Sequence, residues 1–556
     1  MKPPTRTRIP ALILASLLCA LFIPASRQAA ESPAKTHPLA DPDKACAQCH
    51  EAIYEHYEKT SMARGSGLAT EGLLPGELHH KASGSDYRVF LRDSDAWMSY
   101  SESSTGAQGE RRLLYFIGSG RHGRTYLYQL EGQWFELPIN FYTRRSTWDM
   151  APAYDKATTI PAPPPTDANC LHCHATQVQQ PLPTARNRYA DAPFVQGGVG
   201  CSACHGDPSQ HLAQHGHGPI LNPAKLSPAK RDSTCLQCHL EGDAVVYRPG
   251  KSLAQFQPGE ELSATALYFV RASQQAGGGR ASSQYEALLR SACKRAVGDA
   301  LTCTTCHDPH SSPAAAERVS FFRSKCLNCH AAQAADHHPE QQDCATCHMP
   351  TRNTSDISHE QSTDHNIQAR PSAPSLLKSD DLVPVGPAKP TDREYGLAYA
   401  QLARRGNRAA GERALALLTK AQQSGANDAQ VDLQLAFLQQ ISQHPVQARA
   451  NYEAALQQDP YDPTSLANLA VIDASSNRVE EAVVLLKKLV SADPSQTPAG
   501  LNLAFIECRL GRKQEALAVL HRMVEFNPGD VQVHIFLSTG AYAGQHCPLT
   551  GNGSTE

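Results

Sequence analysis

After residue 30 the sequence has no apolar run long enough to cross a bilayer, for which about 20 residues are needed. It also lacks a basic excess. Lys and Arg number 51 against 54 Asp and Glu, a formal charge of −3, which argues against nucleic acid as a partner. The one early apolar run, Ala11 to Ile23, follows Lys2, Arg6 and Arg8 and precedes "PASRQAAES". That order reads as a secretory signal peptide over residues 1–30, its core too short to span. Cleavage is expected between Ala25 and Ala30. It removes Lys2, Arg6, Arg8 and Arg27 and no acid, taking the charge from −3 to −7. The mature chain is expected to be exported, in the simplest case to a bacterial periplasm, and its charge mildly favours a basic partner.

Cysteine, by contrast, is abundant. Fourteen of the 18 cysteines fall in seven CxxCH units. These are Cys46/Cys49/His50, Cys170/Cys173/His174, Cys201/Cys204/His205, Cys235/Cys238/His239, Cys303/Cys306/His307, Cys326/Cys329/His330 and Cys344/Cys347/His348. CxxCH is the attachment motif of c-type haem. On one helical turn, positions i, i+3 and i+4 share a face. Two thiols then reach two vinyl groups of one porphyrin while the histidine reaches its iron. A single CxxC also suits zinc or redox chemistry, but seven CxxCH units in an exported chain point to seven haems. Apart from Cys19 in the signal peptide, Cys293, Cys508 and Cys547 remain, and Cys508 with Cys547 is one pairing they allow.

The chain divides by composition. Residues 31–367 hold every CxxCH and are expected to form a heptahaem domain. Residues 368–390, rich in Pro and Ser, read as a linker. Residues 391–540 repeat. Pro460, Pro494 and Pro528 recur at 34 residues, as do Leu435-Ala436, Leu469-Ala470 and Leu503-Ala504, and Ala448, Ala482 and Ala516. This is the period of the tetratricopeptide repeat, a helix-turn-helix unit stacked into a solenoid. Residues 541–556 read as a tail. Within the first part, "YRVFLR", "RLLYFIGSG" and "RTYLYQLEGQWFELPINFY" are aromatic and β-branched runs separated by turns, Glu131-Gly132 among them. They predict a small antiparallel sheet inserted at about 85–145. The expected fold is mainly α, short helices and loops wrapped on haem, the haems serving as the core.

Haem iron has two axial positions, and each CxxCH fills one. His310, in "LTCTTCHDPH", lies too close along the chain to His307 to take the opposite face of the same iron. It reads as the distal ligand of a neighbouring haem, or else as a surface or propionate-bonded histidine. Fourteen further histidines lie between His37 and His365, enough for seven distal positions.

"GVGCSACHGDPSQH", "LTCTTCHDPH" and "CATCHMPTRNTSDISHEQSTDHNI" resemble the signatures of exported multihaem cytochromes with doubled CxxCH motifs, related to the hydroxylamine oxidoreductase and cytochrome c nitrite reductase superfamily. One branch of that family carries tetratricopeptide repeats after the haem domain, as here, and the stretch around His122 resembles it too. The resemblance covers nearly the whole mature chain. It implies His211, His310 and His365 as distal ligands, with His359 before the last. It extends to His122, to His79 or His80, and to His337 or His338. The expected distal set is His80, His122, His211, His310, His338, His359 and His365. The sequence departs from both enzymes, for it has no CxxCK motif, no eighth CxxCH and no tyrosine assignable to a porphyrin crosslink.

An electron-transfer protein is therefore the leading expectation, with other redox proteins as partners and the repeats docking one of them. The alternative is a multihaem oxidoreductase acting on a small nitrogen or sulfur compound at one haem with an open distal position. The first haem is its natural place, with His56 and Met62 nearby. A scaffold assembling a redox complex is compatible with either.

Overall fold

The structure is a computed structural model that describes residues 37–549 apart from 153, 273–279, 282, 337–341, 355–356, 358 and 370–380. The expected signal peptide, His337 and His338, residues 370–380 of the linker and residues 550–556 lie outside the described residues.

Helix α1 (Asp43–Tyr57) is followed by ten strands rather than a small insertion. They are β1 (Ser66–Leu68), β2 (Gly76–His80), β3 (Ser85–Arg92), β4 (Asp95–Glu102), β5 (Gln108–Leu113), β6 (Tyr115–Ile117), β7 (Gly123–Leu130), β8 (Gln133–Glu136), β9 (Ile139–Tyr142) and β10 (Thr147–Met150). Strands β2 to β5 make one antiparallel sheet in sequence order, and the other six make a second. In β3 and β4 alternate residues turn inward, pairing Tyr87 with Tyr100 and Val89 with Met98. That period of two buries one face only. The buried faces meet in a core with Phe116, Tyr126, Phe135 and Trp148. Two expectations are thereby corrected. The β region runs from Ser66 to Met150 as two sheets, so this part of the chain is mixed in structure. It also has an apolar core made of protein alone.

The middle of the chain is built from short pieces. They are α2 (Ala168–His172), β11 (Ala175–Val178), β12 (Phe194–Gly197), α3 (Ser202–His205), α4 (Ser209–Ala213), α5 (Pro228–His239), β13 (Ala244–Tyr247) and β14 (Ala266–Arg271). Helices α6 (Tyr285–Arg290), α7 (Ala292–Val297), α8 (Cys303–Cys306), α9 (Arg318–Asp336) and α10 (Cys344–His348) follow, then β15 (Thr351–Asn353) and β16 (Gln361–Thr363). Strand β17 (Leu382–Pro384), inside the stretch read as a linker, joins β13 and β14 in a three-stranded sheet.

Four helix pairs succeed it. They are α11 (Asp392–Arg404) with α12 (Arg408–Gln423), α13 (Ala429–Ile441) with α14 (Pro445–Gln458), α15 (Pro463–Ser475) with α16 (Val479–Ala492), and α17 (Thr497–Arg509) with α18 (Lys513–Phe526). Helix α19 (Val531–Thr539) and a hairpin, β18 (Ala541–Tyr542) with β19 (Gln545–His546), close the array. Ala414, Ala448, Ala482 and Ala516 are each 0% exposed, so the repeated alanine marks where paired helices come closest. Pro460, Pro494 and Pro528 each stand two residues beyond a second helix, where a proline cannot extend it.

The array is anchored at both ends. At its start the Gln401 side chain pairs with both backbone groups of Val245 in β13 (2.6 and 3.2 Å), and Arg393 donates to Tyr247 O at 3.2 Å. At its far end Phe526 enters the core of the sheets against Phe135, and Arg522 pairs with Glu131. Cys508 in α17 is disulfide-bonded to Cys547 after the closing hairpin, both buried. Replacing both by Ser is expected to lower stability by about 2–4 kcal/mol, since the crosslink restricts the unfolded chain. Urea unfolding of the paired variant, followed by the helical circular-dichroism signal, checks this.

Candidate haem-binding cavity

The CxxCH units sit on helical turns, four of them on helices of only four or five residues, α2, α3, α8 and α10. In α1 and α9 the backbone breaks at His50 (φ −118°, ψ 38°) and His330 (φ −113°, ψ 27°). His307 lies beyond α8 in extended backbone. The cysteines share a helical turn as the spacing requires, whereas these histidines sit at its exit. Such short turns need caps. Asp167 accepts from Asn169 N and Cys170 N at 2.9 and 3.1 Å, Asp343 accepts from Ala345 N at 3.0 Å, and Thr302 with Thr305 forms a capping box.

The units also hold one another. Cys201 N donates to both oxygens of Asp43 at 3.1 Å, tying the third motif to the first. Gln237 of the fourth accepts from the second, His172 Nε2 donating to its Oε1 at 2.8 Å, and donates to Ala203 O of the third at 3.3 Å. Cys303 N of the fifth donates to Asp232 beside the fourth at 3.3 Å. The His307 ring meets Phe322 of the helix bearing the sixth at 5.6 Å, and Arg323 of that helix donates to Cys344 Sγ of the seventh at 3.8 Å. The motifs thus touch in the order one, three, four, five, six, seven, with the second beside the fourth.

All 21 cysteines and histidines of the motifs line one cavity of about 3770 Å³. A site for a single drug-sized ligand occupies roughly 300–1,000 Å³, so this space suits several large groups. Arg231 lines it too, with a buried Nε that has no partner among the described residues, as suits an anionic propionate. A tetrahedral thiolate site is a poorer fit. Among the described residues one group of three donors converges within 4.8 Å, Asp43, Cys46 and Cys201, and Asp43 is already occupied by Cys201 N and Gln196 Nε2.

The histidines show how their rings are held. His205 Nδ1 donates to Leu221 O (2.8 Å), His211 to Gly218 O (2.9 Å), His348 to Gln368 O (2.6 Å) and His365 to Thr363 O (3.0 Å). A carbonyl only accepts, so the proton is on Nδ1, which in His205, His211 and His365 leaves the Nε2 lone pair for a metal. Two ring pairs face each other: His205 with His310, centres 6.0 Å apart and planes 12° apart, and His307 with His365, 6.2 Å and 26°. Two imidazoles on opposite sides of one metal, each about 2.0 Å from it through nitrogen, have ring centres roughly 6 Å apart. Burial first, and then the facing His365 or His205, holds His307 and His310 below the ordinary histidine range. They stay neutral, the form that binds metal.

Of the expected distal set, His122, His211, His310 and His365 line the cavity. His80 and His359 do not. His80 lies on β2 with Nδ1 bonded to Ser83 Oγ at 2.8 Å, and His359 gives Nε2 to Asp149 at 2.9 Å with its ring edge-on to Tyr142. Met62 lines the cavity and His56 does not. The carbonyls of Leu221, Gly218, Thr363 and Gln368 were beyond sequence reasoning, since backbone acceptors leave no residue signature.

Residues 143–206, which hold the second and third motifs, match the family "Cytochrome c554 and c-prime", and residues 441–499 and 474–538 match the tetratricopeptide repeat. No curated protein matches the chain. Solved structures similar to it include MamA (14% identity, 24% of this chain and 77% of that one, TM-score 0.22). Others are pilF of Pseudomonas aeruginosa (24%, 25% and 63%, 0.22) and YrrB, described as "a TPR protein with an unusual peptide-binding site" (16%, 26% and 74%, 0.23). The segment that holds the second and third motifs is therefore similar to c-type cytochromes. More particularly, this cytochrome c554-like segment is followed by a C-terminal array of tetratricopeptide repeats.

Glu136, at the end of β8, also lines the cavity. Burial, and then the charge of Asp167, pushes its carboxyl from 4.5 up to about 7. A carboxyl that binds its proton more tightly folded than unfolded loses stability as pH rises between those two values and levels off above them. Glu136→Gln is expected to flatten this slope, measured as urea midpoints at several pH values from about 5 to 8. A variant with the parent's slope would refute the role.

Proposed function

We propose that the protein is a periplasmic electron carrier of the hydroxylamine oxidoreductase and nitrite reductase superfamily, with seven covalently bound c-type haems. The convergence of all seven motifs on one cavity carries this reading. Bound there, the haems supply one-electron couples. The residues fix where each couple sits. His50, His174, His205, His239, His307, His330 and His348 are the proximal ligands. His310, paired with His205, and His365, paired with His307, would hold the second side of two of the irons, and His122 and His211 would serve further haems. If electrons follow the contacts between motifs, their path would run one, three, four, five, six and seven, with the second as a branch at the fourth. The haem domain extends over 31–367 and the repeats over 391–540. With its two ends engaged by the haem domain, the array offers its remaining surface to a redox partner.

Haem content and low-temperature EPR of the oxidised holoprotein test the proposal. Seven haems per chain are expected, low-spin and unmoved by nitrite, hydroxylamine or cyanide. His310→Ala and His365→Ala should each turn one haem high-spin. A parent haem that is already high-spin and shifts with such a ligand would favour an oxidoreductase instead.

A further inference from the structure

His122 differs from His205, His211, His348 and His365 in what holds its second nitrogen. It sits in the turn between β6 and β7, where Gly118 and Gly120 have φ of +96° and +82°, and Thr143 N donates to its carbonyl at 3.0 Å. Its Nδ1 lies 3.0 Å from Oε2 of Glu360, which comes from just before β16, far along the chain. His205, His211, His348 and His365 meet backbone carbonyls at that position. Glu360 is 5% exposed, and its Oε1 is buried with no partner among the described residues. The nearby charges are engaged elsewhere: Asp149 holds His359, and Arg352 on β15 pairs with Asp364 at 2.6 Å. A buried carboxylate is costly unless something compensates it, and here the compensating donor is the His122 ring.

We infer that Glu360 is a positioning residue that sets the reduction potential of the haem bound through His122. The inference rests on the proposed role of His122 as an axial ligand. A carboxylate accepting from Nδ1–H draws the proton toward itself and raises electron density on Nε2. A more basic axial nitrogen stabilises ferric over ferrous iron, so that haem has a lower potential than the same haem under a carbonyl-held histidine. Glu360 also fixes the ring's orientation, because its own place is fixed by burial.

The test uses full-length holoprotein, with optical redox titration and EPR on the same samples. Glu360→Gln keeps an acceptor oxygen at Nδ1 and removes the charge. One midpoint of the set is expected to rise, with the others unmoved and every haem still low-spin. Glu360→Asp, which keeps the charge but shortens the reach, should move the same midpoint less. In a His122→Ala background, where one haem is expected to turn high-spin, Glu360→Gln should move nothing further. Unchanged midpoints in Glu360→Gln would overturn the inference, as would a general shift of all of them, which a purely structural role would cause. If His122→Ala leaves every haem low-spin, the ligand assignment fails and takes the inference with it. The electron-carrier reading would then still stand or fall on His310 and His365.

Discussion

The helical turn that sets two cysteines on one face and a histidine at its exit is the constraint on which the rest of the haem region depends. Helices of four or five residues such as α2, α3, α8 and α10 have no stability of their own, because nucleating a turn costs more than one or two hydrogen bonds return. Asp167, Asp343 and Thr302 therefore cap three of them, α2, α10 and α8, and neighbouring motifs brace them all. Gln237 is the clearest brace, bonded to both the second and the third motif from within the fourth. A motif held this way has its two sulfurs and its imidazole aimed into the shared cavity before any cofactor is considered. Placement of one turn then limits the placement of the next.

The two sheets and the repeats supply what the cavity region cannot. Aromatic residues from β3 to β10 close an apolar core, and the solenoid carries its own along the repeated alanines and leucines. Between these bodies the joints are specific. Gln401 behaves toward Val245 as a strand neighbour would, satisfying an N–H and a C=O of β13 together. Phe526 belongs at once to the last repeat and to the core of the sheets. The repeats thus brace the sheets and the cavity region.

Much of this was legible in the residues, for identifiable reasons. CxxCH spacing is covalent logic and survives any fold. The 34-residue period fixes helix pairs whatever their packing. Glu131-Gly132 turns β7 into β8 with φ of +47° and +79°, the positive values that a two-residue hairpin demands. The extent of the β region was not legible. Strands such as "SGL" and "GELHH" carry little β-branched or aromatic signal and form because partners elsewhere need them. Strand β17 is hidden for the same reason, a short piece of a proline-rich stretch recruited by β14. His80 was drawn toward the haem set by its position along the chain, yet the register of β2 with β3 pairs it with Ser85 on a sheet away from the cavity. Glu360 left no trace in the sequence, since a lone glutamate says nothing until its partner is known.

His310 ties these scales together. It lies three positions after His307, yet the two rings face different partners, His205 and His365. The loop "DPH" makes this possible: Asp308 accepts from His310 N at 2.9 Å, turning the chain sharply after the fifth motif. In the proposed function each facing pair is a crosslink through iron between segments distant in sequence, the third motif to the fifth and the fifth to the end of the haem domain. Closing long loops restricts the unfolded chain much as a disulfide does. It offers short helices a stability that their own hydrogen bonds cannot. The same crosslinks would hold together the region in which neighbouring motifs touch, and contact between motifs is the geometric condition for electrons to pass. Fold and function would then rest on one set of bonds.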